Sequence, residues 1–159
     1  MFRIYIVVFF LMLSSCATKL YIVRHAEKEV QTADMSTDVG LSELGEERAE
    51  ALKKLLRKKN IRHIFSTNYI RTIATAKPLS EAIGVSTLHY DPKDTAFISM
   101  IKSLHANALI VGHSNTVDDI VNGLTGAGLT DLTDTQYGDL FIVTRKGDKY
   151  ILRQSRFGK

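Results

Sequence analysis

The sequence predicts an α/β fold, a three-layer α/β/α sandwich with a mainly parallel central sheet. Two segments, 20–23 and 108–111, are apolar without alternation, which is typical of strands buried on both faces of a parallel sheet. Segments with helical spacing separate the predicted strands, and this alternation favours the architecture. The length of 159 residues, with 45% hydrophobic and 24% charged residues, fits a single domain with a well-formed core.

The amino terminus predicts a leader that is not part of the fold. Arg3 precedes an uninterrupted apolar run, Ile4 to Leu13. The length of this run suits the hydrophobic region of a signal peptide and falls short of the roughly 20 residues that span a bilayer. It ends in Leu13-Ser14-Ser15-Cys16, which resembles the bacterial lipobox, where the cysteine is acylated and becomes the new amino terminus. Cys16 is the only cysteine of the chain, so it has no intramolecular disulfide partner.

We therefore expect residues 1–15 to be a lipoprotein signal peptide and residues 16–159 to be one domain. Lipid on Cys16 would hold this domain at the bacterial cell envelope, outside the cytoplasm. The alternative is a cytosolic protein whose hydrophobic first segment is a buried strand. The net charge of +4 favours anionic partners. No nucleic-acid partner is expected, because no aromatic stacking platform accompanies the cations.

The first helix is predicted by a cap and by apolar spacing. After a polar loop at 31–39, Ser42 is a candidate N-cap for a helix that ends near Lys59. The residues predicted on its buried face are Leu44, Ala49, Leu52, Leu55 and Leu56. The cations of its last turns are Lys53, Lys54, Arg57, Lys58 and Lys59. They suit a solvated end that complements the helix dipole, and contact with anionic lipid headgroups is the alternative for a tethered domain.

Proline and glycine mark the second helix. It should begin near Tyr69, Pro78 should kink or restart it, and Gly84 should end it. The segment 95–105 is amphipathic and predicts a third helix.

The other strands are short apolar runs, predicted at 61–65, 86–90, 140–144 and 150–153. The last two should pair through the tight turn Lys146-Gly147-Asp148. Before them, Thr116 and Asp119 fit a capping box for a fourth helix. These elements complete the alternating pattern.

Charged and imidazole side chains follow the predicted strands. Arg24 and His25 end the first strand, His113 follows the strand at 108–111, and Arg71 lies on the first turn of the second helix. Since the carboxyl ends of parallel strands meet at one edge of the sheet, these groups can converge there. Arginine is well shaped to bind phosphate or carboxylate, and histidine is a nucleophile or acid–base near neutral pH.

Four motifs, in order along the chain, resemble those of the histidine phosphatase superfamily, relatives of phosphoglycerate mutase and the acid phosphatases. They are Arg24-His25-Ala26-Glu27-Lys28, the segment 38–45, the segment 66–79 and Val111-Gly112-His113-Ser114-Asn115. Their order and spacing agree across nearly all of the mature chain. The resemblance implies a phosphoglycerate mutase-like fold.

The resemblance also implies a phosphatase that acts on phosphate monoesters or exposed phosphoryl groups through a phosphohistidine on His25. Arg24, Arg71 and His113 would bind the phosphate and contribute to catalysis. Its substrates would be phosphorylated small molecules or phosphoproteins. The resemblance implies neither a metal nor a cofactor. The spacing of the other histidines also argues against a metal, since His63, His89 and His105 show no ligand pattern.

The acid that protonates the leaving group is harder to assign. In the family this carboxylate often follows the third strand, where Asp91 stands nearest, with Asp94 and Glu81 behind it. Asp91-Pro92 is equally a turn opener. Without such an acid, easily departing groups would be favoured, as in the small phosphohistidine phosphatases of the superfamily.

Other functions stay open at this point. Phosphoglycerate mutase-like activity is disfavoured by the predicted location, and phosphohistidine phosphatase activity is an alternative. A tethered phosphate-binding module with little turnover is another. The segments between the motifs are short, so we expect an open, shallow pocket.

Overall fold

The computed structural model describes residues 17–30 and 38–158. The predicted signal peptide, Cys16 and most of the predicted loop at 31–39 lie outside the described residues. The elements are β1 (Thr18–Arg24), α1 (Glu43–Leu56), β2 (Ile61–Ser66), α2 (Ile70–Ile83), β3 (Thr87–His89), α3 (Ala96–Lys102), β4 (Asn107–Gly112), α4 (Val117–Thr125), β5 (Asp139–Lys146) and β6 (Lys149–Arg156). Over the described ranges, no helix has the length and apolar character needed to cross a membrane.

The six strands form one mixed sheet in the order β3-β2-β4-β1-β5-β6. The four strands from β3 to β1 are parallel, whereas β5 runs antiparallel to β1 and β6 antiparallel to β5. The last two strands form the predicted hairpin, and Gly147 in its turn has a φ of 58°, a backbone conformation that glycine adopts without strain. The prediction of a mainly parallel sheet is confirmed.

Both faces of the sheet are covered by helices. β1 lies in the middle, and its residues 20–23 are at most 4% exposed, as an apolar run without alternation predicts. One core packs α1 and α2 on the sheet, through residues that include Leu52, Leu56 and Leu79. The other packs α3 and α4 on the opposite face. The three-layer α/β/α sandwich is therefore confirmed.

The start of α1 follows the prediction, but its end and buried face differ. Ser42 is the N-cap, and its Oγ accepts a hydrogen bond from the Gly45 N–H at 3.2 Å. The helix ends at Leu56 and not near Lys59. The prediction that Leu44 and Leu55 are buried is wrong, since they are 49% and 40% exposed. They lie roughly 100° around the helix from the centre of the buried stripe, which Ala49, Leu52 and Leu56 form.

The other helices correct three details. α2 is one helix with Pro78 inside it, so it does not restart there; its neighbours Ala76 and Leu79 are fully buried, and this packing outweighs the lost backbone hydrogen bond. It ends at Gly84 in the left-handed conformation, as predicted. α3 is shorter than the predicted segment 95–105, because the chain tightens at its end and the N–H of Leu104 bonds only three residues back. The capping box at the start of α4 does not form, for a reason given below.

Candidate active site

The two strand-end histidines lie side by side at the carboxyl edge of the sheet. β1 and β4 are adjacent, with Arg24 paired to Gly112, and the His25 N–H donates to the Gly112 carbonyl at 2.9 Å. The imidazole rings of His25 and His113 meet edge to face, with centroids 5.5 Å apart. The predicted convergence over one edge therefore occurs.

The turn after β4 requires glycine. A Cβ at Gly112 would lie 2.8 Å from Thr116 Oγ1 and 2.9 Å from the Tyr90 hydroxyl, closer than Cβ atoms come in proteins. Thr116 Oγ1 accepts the His113 N–H at 2.9 Å. The predicted capping box is thus wrong, because the threonine hydroxyl turns back onto the histidine backbone and makes no cap contact.

His25 is held as a neutral imidazole. Its side chain is 4% exposed, and its Nδ1 lies 2.7 Å from the Ala26 carbonyl oxygen. A carbonyl can only accept, so Nδ1 carries the proton and Nε2 keeps its lone pair. Burial lowers the pKa of His25 to about 3, and the charges of Arg24 and Arg71 act in the same direction. The imidazole is therefore neutral throughout the physiological pH range.

His113 is oriented by a chain of hydrogen bonds. Arg71 Nη2 lies 3.4 Å from His113 Nδ1, which must accept, so Nε2–H donates to Thr67 Oγ1 at 2.9 Å. The Thr67 hydroxyl donates to Thr72 Oγ1 at 3.0 Å, and Thr72 donates to the Tyr69 carbonyl at 2.9 Å. Both threonine side chains are buried. Burial, then Arg71, lowers the pKa of His113 to about 4.

Arg24 is a buried cation, only 4% exposed. Its Nη1 donates to the Thr133 carbonyl at 2.7 Å, its Nη2 lies 3.9 Å from Asp134 Oδ1, and its guanidinium stacks over the Tyr137 ring at 4.2 Å. Burial lowers the pKa of Arg24, but at neutral pH the guanidinium stays charged. Its Nε is buried and has no hydrogen-bond partner among the described residues.

Arg71 is held in a similar way by a carboxylate and an aromatic ring. Its Nη1 lies 3.4 Å from Asp38 Oδ1, and its guanidinium lies 4.7 Å from the centre of the Tyr69 ring. The same Asp38 oxygen accepts the Ile70 N–H at 2.9 Å, at the start of α2. Arg71 Nε is the second buried arginine nitrogen without a hydrogen-bond partner in the described chain. Two such donors on cationic side chains favour an anionic ligand, because unmet buried N–H groups are costly.

A cavity of about 620 Å³ brings these groups together. The residues that line it are Arg24, His25, Lys28, Tyr69, Arg71, Pro92, Lys93, His113, Ser114, Asn115, Thr116, Asp119 and Asp134. The four predicted phosphate-binding and catalytic residues are all among them. Arg24 and His25 are buried and Arg71 and His113 half-buried, while an exposed rim carries Lys28, Lys93, Asp119 and Asp134.

The structure does not bring Asp91 into this cavity. Asp91 is exposed, its Oδ1 accepts the Lys93 N–H at 2.9 Å in a tight turn, and it lines a neighbouring depression with His89. Asp94 accepts the Ala96 N–H at the start of α3, and Glu81 lies 3.8 Å from the Lys77 ammonium on α2. As the acid, Asp91 stays a prediction.

The first two motifs owe part of their pattern to packing. Glu27 pairs with Arg48 through contacts of 2.6 to 2.9 Å, so it supports the loop after β1 and does not line the cavity. A Cβ at Gly45 would lie 2.1 Å from the Glu27 carbonyl oxygen, so α1 can begin against this loop only at a glycine. The Ser42 N–H also donates to that carbonyl, at 3.0 Å.

Several site residues were not predicted as such. The sequence does single out Asp38, because this residue opens the second motif, but nothing in the motif indicates that Asp38 contacts Arg71. No sequence pattern indicates the contacts of four other residues, because these contacts depend on the three-dimensional paths of two loops. The four are Thr67, Tyr69, Asp134 and Tyr137. Among the residues that the structure covers, no group of three or more histidine, cysteine, aspartate or glutamate side chains could hold a metal ion.

The fold is similar to that of the phosphoglycerate mutase-like histidine phosphatases, and part of the sequence matches a family model. Residues 20–93, from β1 to the loop after β3, match the sequence model described as "Histidine phosphatase superfamily (branch 1)". This segment contains Arg24, His25 and Arg71, while His113 follows it. No curated protein sequence matches the chain.

Solved structures share the fold at low sequence identity. The protein histidine phosphatase SixA in complex with tungstate is 16% identical, with a TM-score of 0.68 over 87% of this chain and 96% of that one. A mycobacterial glucosyl-3-phosphoglycerate phosphatase is 14% identical, with a TM-score of 0.66 over 88% and 98%. A candidate phosphohistidine phosphatase SixA from Agrobacterium tumefaciens is 19% identical, with a TM-score of 0.65 over 89% and 97%. The described domain thus spans nearly the whole length of these chains.

Proposed function

We propose that this protein hydrolyses phosphate monoesters or exposed phosphoryl groups through a phosphohistidine intermediate on His25. The observation that carries the proposal is that two cationic arginines and two neutral histidines line the same cavity. Arg24 and Arg71 have buried Nε–H groups without a hydrogen-bond partner among the described residues, and the two histidines that line the same cavity are kept neutral. A phosphate dianion satisfies the donors and balances the two charges, and neutral Nε2 of His25 can attack its phosphorus.

The reaction proceeds in two displacements. His25 Nε2 forms a bond to phosphorus while the bond to the leaving oxygen breaks. That oxygen departs with the electron pair of the bond and takes up a proton from water. Water then attacks phosphorus, the phosphorus–Nε2 bond breaks and its electron pair returns to Nε2, while the proton of the water leaves to solvent. In both steps Arg24, Arg71 and His113 stabilise the charge on the non-bridging oxygens.

The test is turnover of a generic aryl phosphate by the purified protein in the presence of a chelator. We expect inorganic phosphate to be released over many turnovers. His25 in the free enzyme is neutral above its pKa of about 3. After correction for substrate ionisation, kcat/KM should therefore not fall as the pH is lowered through 6.5, the ordinary pKa of histidine. Binding of phosphate without turnover would instead support the tethered binding module.

A second candidate substrate is protein phosphohistidine. The carboxylates of the cavity rim, Asp119 and Asp134, are exposed, and Asp91 lies outside the cavity, so none of these three is a fixed acid that faces the leaving group. A phosphoramidate departs more easily than an alkyl phosphate, and a solved structure with this fold is called a protein histidine phosphatase. We expect phosphoramidate and phosphohistidine peptide to be cleaved faster than an alkyl phosphate. If these substrates and the alkyl phosphate are cleaved at equal rates, and Asp91→Asn or Asp119→Asn loses most of the activity, the result would favour ordinary monoesters as substrates and a carboxylic acid that protonates the leaving group.

We also propose that the protein is a lipoprotein of the bacterial cell envelope, with residues 1–15 removed and Cys16 acylated. The support is in the sequence: an apolar run precedes the single cysteine, and only Ala17 separates that cysteine from β1. Labelling with palmitate and sensitivity to globomycin test the proposal. A Cys16→Ala variant should lose the label, and a wild-type chain that is never labelled would support the cytosolic alternative.

A further inference from the structure

Cations gather at the edge of the sheet opposite the cavity. β1 and β4 begin at this edge, and the hairpin of β5 and β6 turns there, because β5 is antiparallel to β1. The end of α1 reaches the same edge just before β2. We call this surface the basic edge; its cations are Lys19, Lys59, Lys102, Arg145, Lys146 and Lys149.

Hydrogen bonds tie the segments of the basic edge together. Asn107 joins two of them, since its Oδ1 accepts the Lys19 N–H at 2.8 Å and its Nδ2 donates to the Lys59 carbonyl at 2.7 Å. Arg145 Nη1 donates to the Lys102 carbonyl. The cations therefore project from one connected surface and not from independent loops.

Few carboxylates offset these charges. Of the acids in the described chain, those near this edge are Glu50, Glu81 and Asp148. Glu50 pairs with Lys53 and Glu81 with Lys77, so Asp148 in the hairpin turn is the one left beside the basic edge. In contrast, the carboxyl edge of the sheet carries many acids, among them Asp91, Asp94, Asp119, Asp131 and Asp134. The acids of the described chain thus gather at the cavity edge, beside cations such as Lys28 and Lys93, whereas cations predominate at the basic edge.

One pair of cations is unfavourable for folding. Lys146 and Lys149 are exposed and lie directly opposite each other in the β5–β6 ladder. Like charges in this arrangement destabilise a hairpin. The pair therefore does not stabilise the fold, and a negatively charged partner would reduce the repulsion between the two ammonium groups.

We infer that the basic edge lies on the anionic headgroups of a lipid bilayer. The described chain begins at Ala17 on this edge, and the sequence just before it holds the apolar run Ile4 to Leu13 and Cys16. From Cys16 to Thr18 the chain can span only about 7 Å, so any membrane attachment there brings this edge to the surface. The inference adds an orientation to the proposed lipoprotein, yet attraction to headgroups does not require acylation.

This orientation places the cavity on the side away from the bilayer. The seven residues of β1 separate the two edges by roughly 23 Å. The cavity then faces the aqueous phase, and its substrates are water-soluble phosphates or phosphoproteins and not the phosphate groups of the lipids beneath it.

The test measures partition of the full-length chain between buffer and vesicles. Vesicles of phosphatidylcholine alone give the baseline, and vesicles that also contain phosphatidylglycerol report headgroup attraction. We expect the wild type to bind the anionic vesicles more tightly, with the gain lost at high salt. Each cation near such a surface contributes roughly fivefold in binding, so Lys146→Glu/Lys149→Glu should reduce the gain about 25-fold or more.

The matched control is Lys93→Glu/Arg153→Glu, which makes the same charge change at exposed positions outside the basic edge. It should keep most of the gain. The inference is overturned if the two double variants lose the gain equally, or if Lys146→Glu/Lys149→Glu keeps it. Cys16→Ala separates this test from that of acylation, because it should lower binding to both kinds of vesicle and leave their ratio unchanged.

Discussion

The two halves of the cavity are built differently. The half that would bind the phosphoryl group is made of strand ends and the first turn of α2, and its Arg24 and His25 are each 4% exposed. The half that would contact the leaving group is made of the start of α4 and loops. Asp119 and Asp134 are exposed on its rim, and Asp91 is exposed just outside the cavity. The rigid half determines what chemistry is possible, and the exposed half can accept leaving groups of many shapes.

The largest expected effect is in the buried half. His25→Ala removes the atom that would bond to phosphorus, so turnover of an aryl phosphate should fall to background in a steady-state assay. His105→Ala is the matched control, since His105 is exposed at the opposite edge of the sheet. The proposed mechanism fails if His25→Ala retains most of the activity.

Arg71→Ala tests the charge balance. Loss of one cation that binds the non-bridging oxygens should lower kcat on the order of 10²–10³-fold, as removal of an oxyanion donor does. Arg62→Ala, at an exposed position on β2, should have almost no effect. If Arg71→Ala changes only KM, this guanidinium contributes to substrate binding and not to the transition state.

Thr67→Val should have a smaller effect in the same half. The valine has no oxygen to accept the His113 Nε2–H, so the ring loses its orientation, and kcat should fall about tenfold with little change in KM. Thr67→Ser keeps the hydroxyl and should restore most of the rate. Equal losses in both variants would mean that packing, and not the hydrogen bond, supports His113.

The smallest effects should come from the exposed half. Asp91→Asn should change hydrolysis of an aryl phosphate less than threefold, because an aryl leaving group departs without a proton and the carboxylate lies outside the cavity. Asp94→Asn, in the same loop, is its control. A loss of 100-fold confined to Asp91→Asn would mean that the loop moves over bound substrate and supplies an acid.

The same division explains what the sequence could predict. Arg24, His25 and His113 follow apolar strands directly, and strand ends in a parallel sheet converge by geometry, so linear spacing was enough. The fold class followed from the same alternation. Leu44 and Leu55 were misplaced, because apolar spacing alone does not say which side of a wide stripe contacts the sheet.

The exposed half could not be predicted in this way. Tyr137 and Asp134 reach Arg24 from a loop more than 100 residues away in the sequence, and no local pattern encodes that approach. Asp91 was chosen by position after β3, but its turn directs the carboxylate to the Lys93 backbone. Thr116 fitted a capping box, but its hydroxyl oxygen accepts a hydrogen bond from the His113 N–H and does not cap α4.

The central claim is that a neutral imidazole, His25, takes the phosphoryl group at Nε2. Rapid quenching of the enzyme during turnover of a radiolabelled phosphate ester, followed by peptide mapping, tests it most directly. We expect an acid-labile, base-stable label on the peptide that contains His25, attached at Nε2 and absent from His25→Ala. A label on any other residue, or rapid turnover with no label at any quench time, would contradict the account.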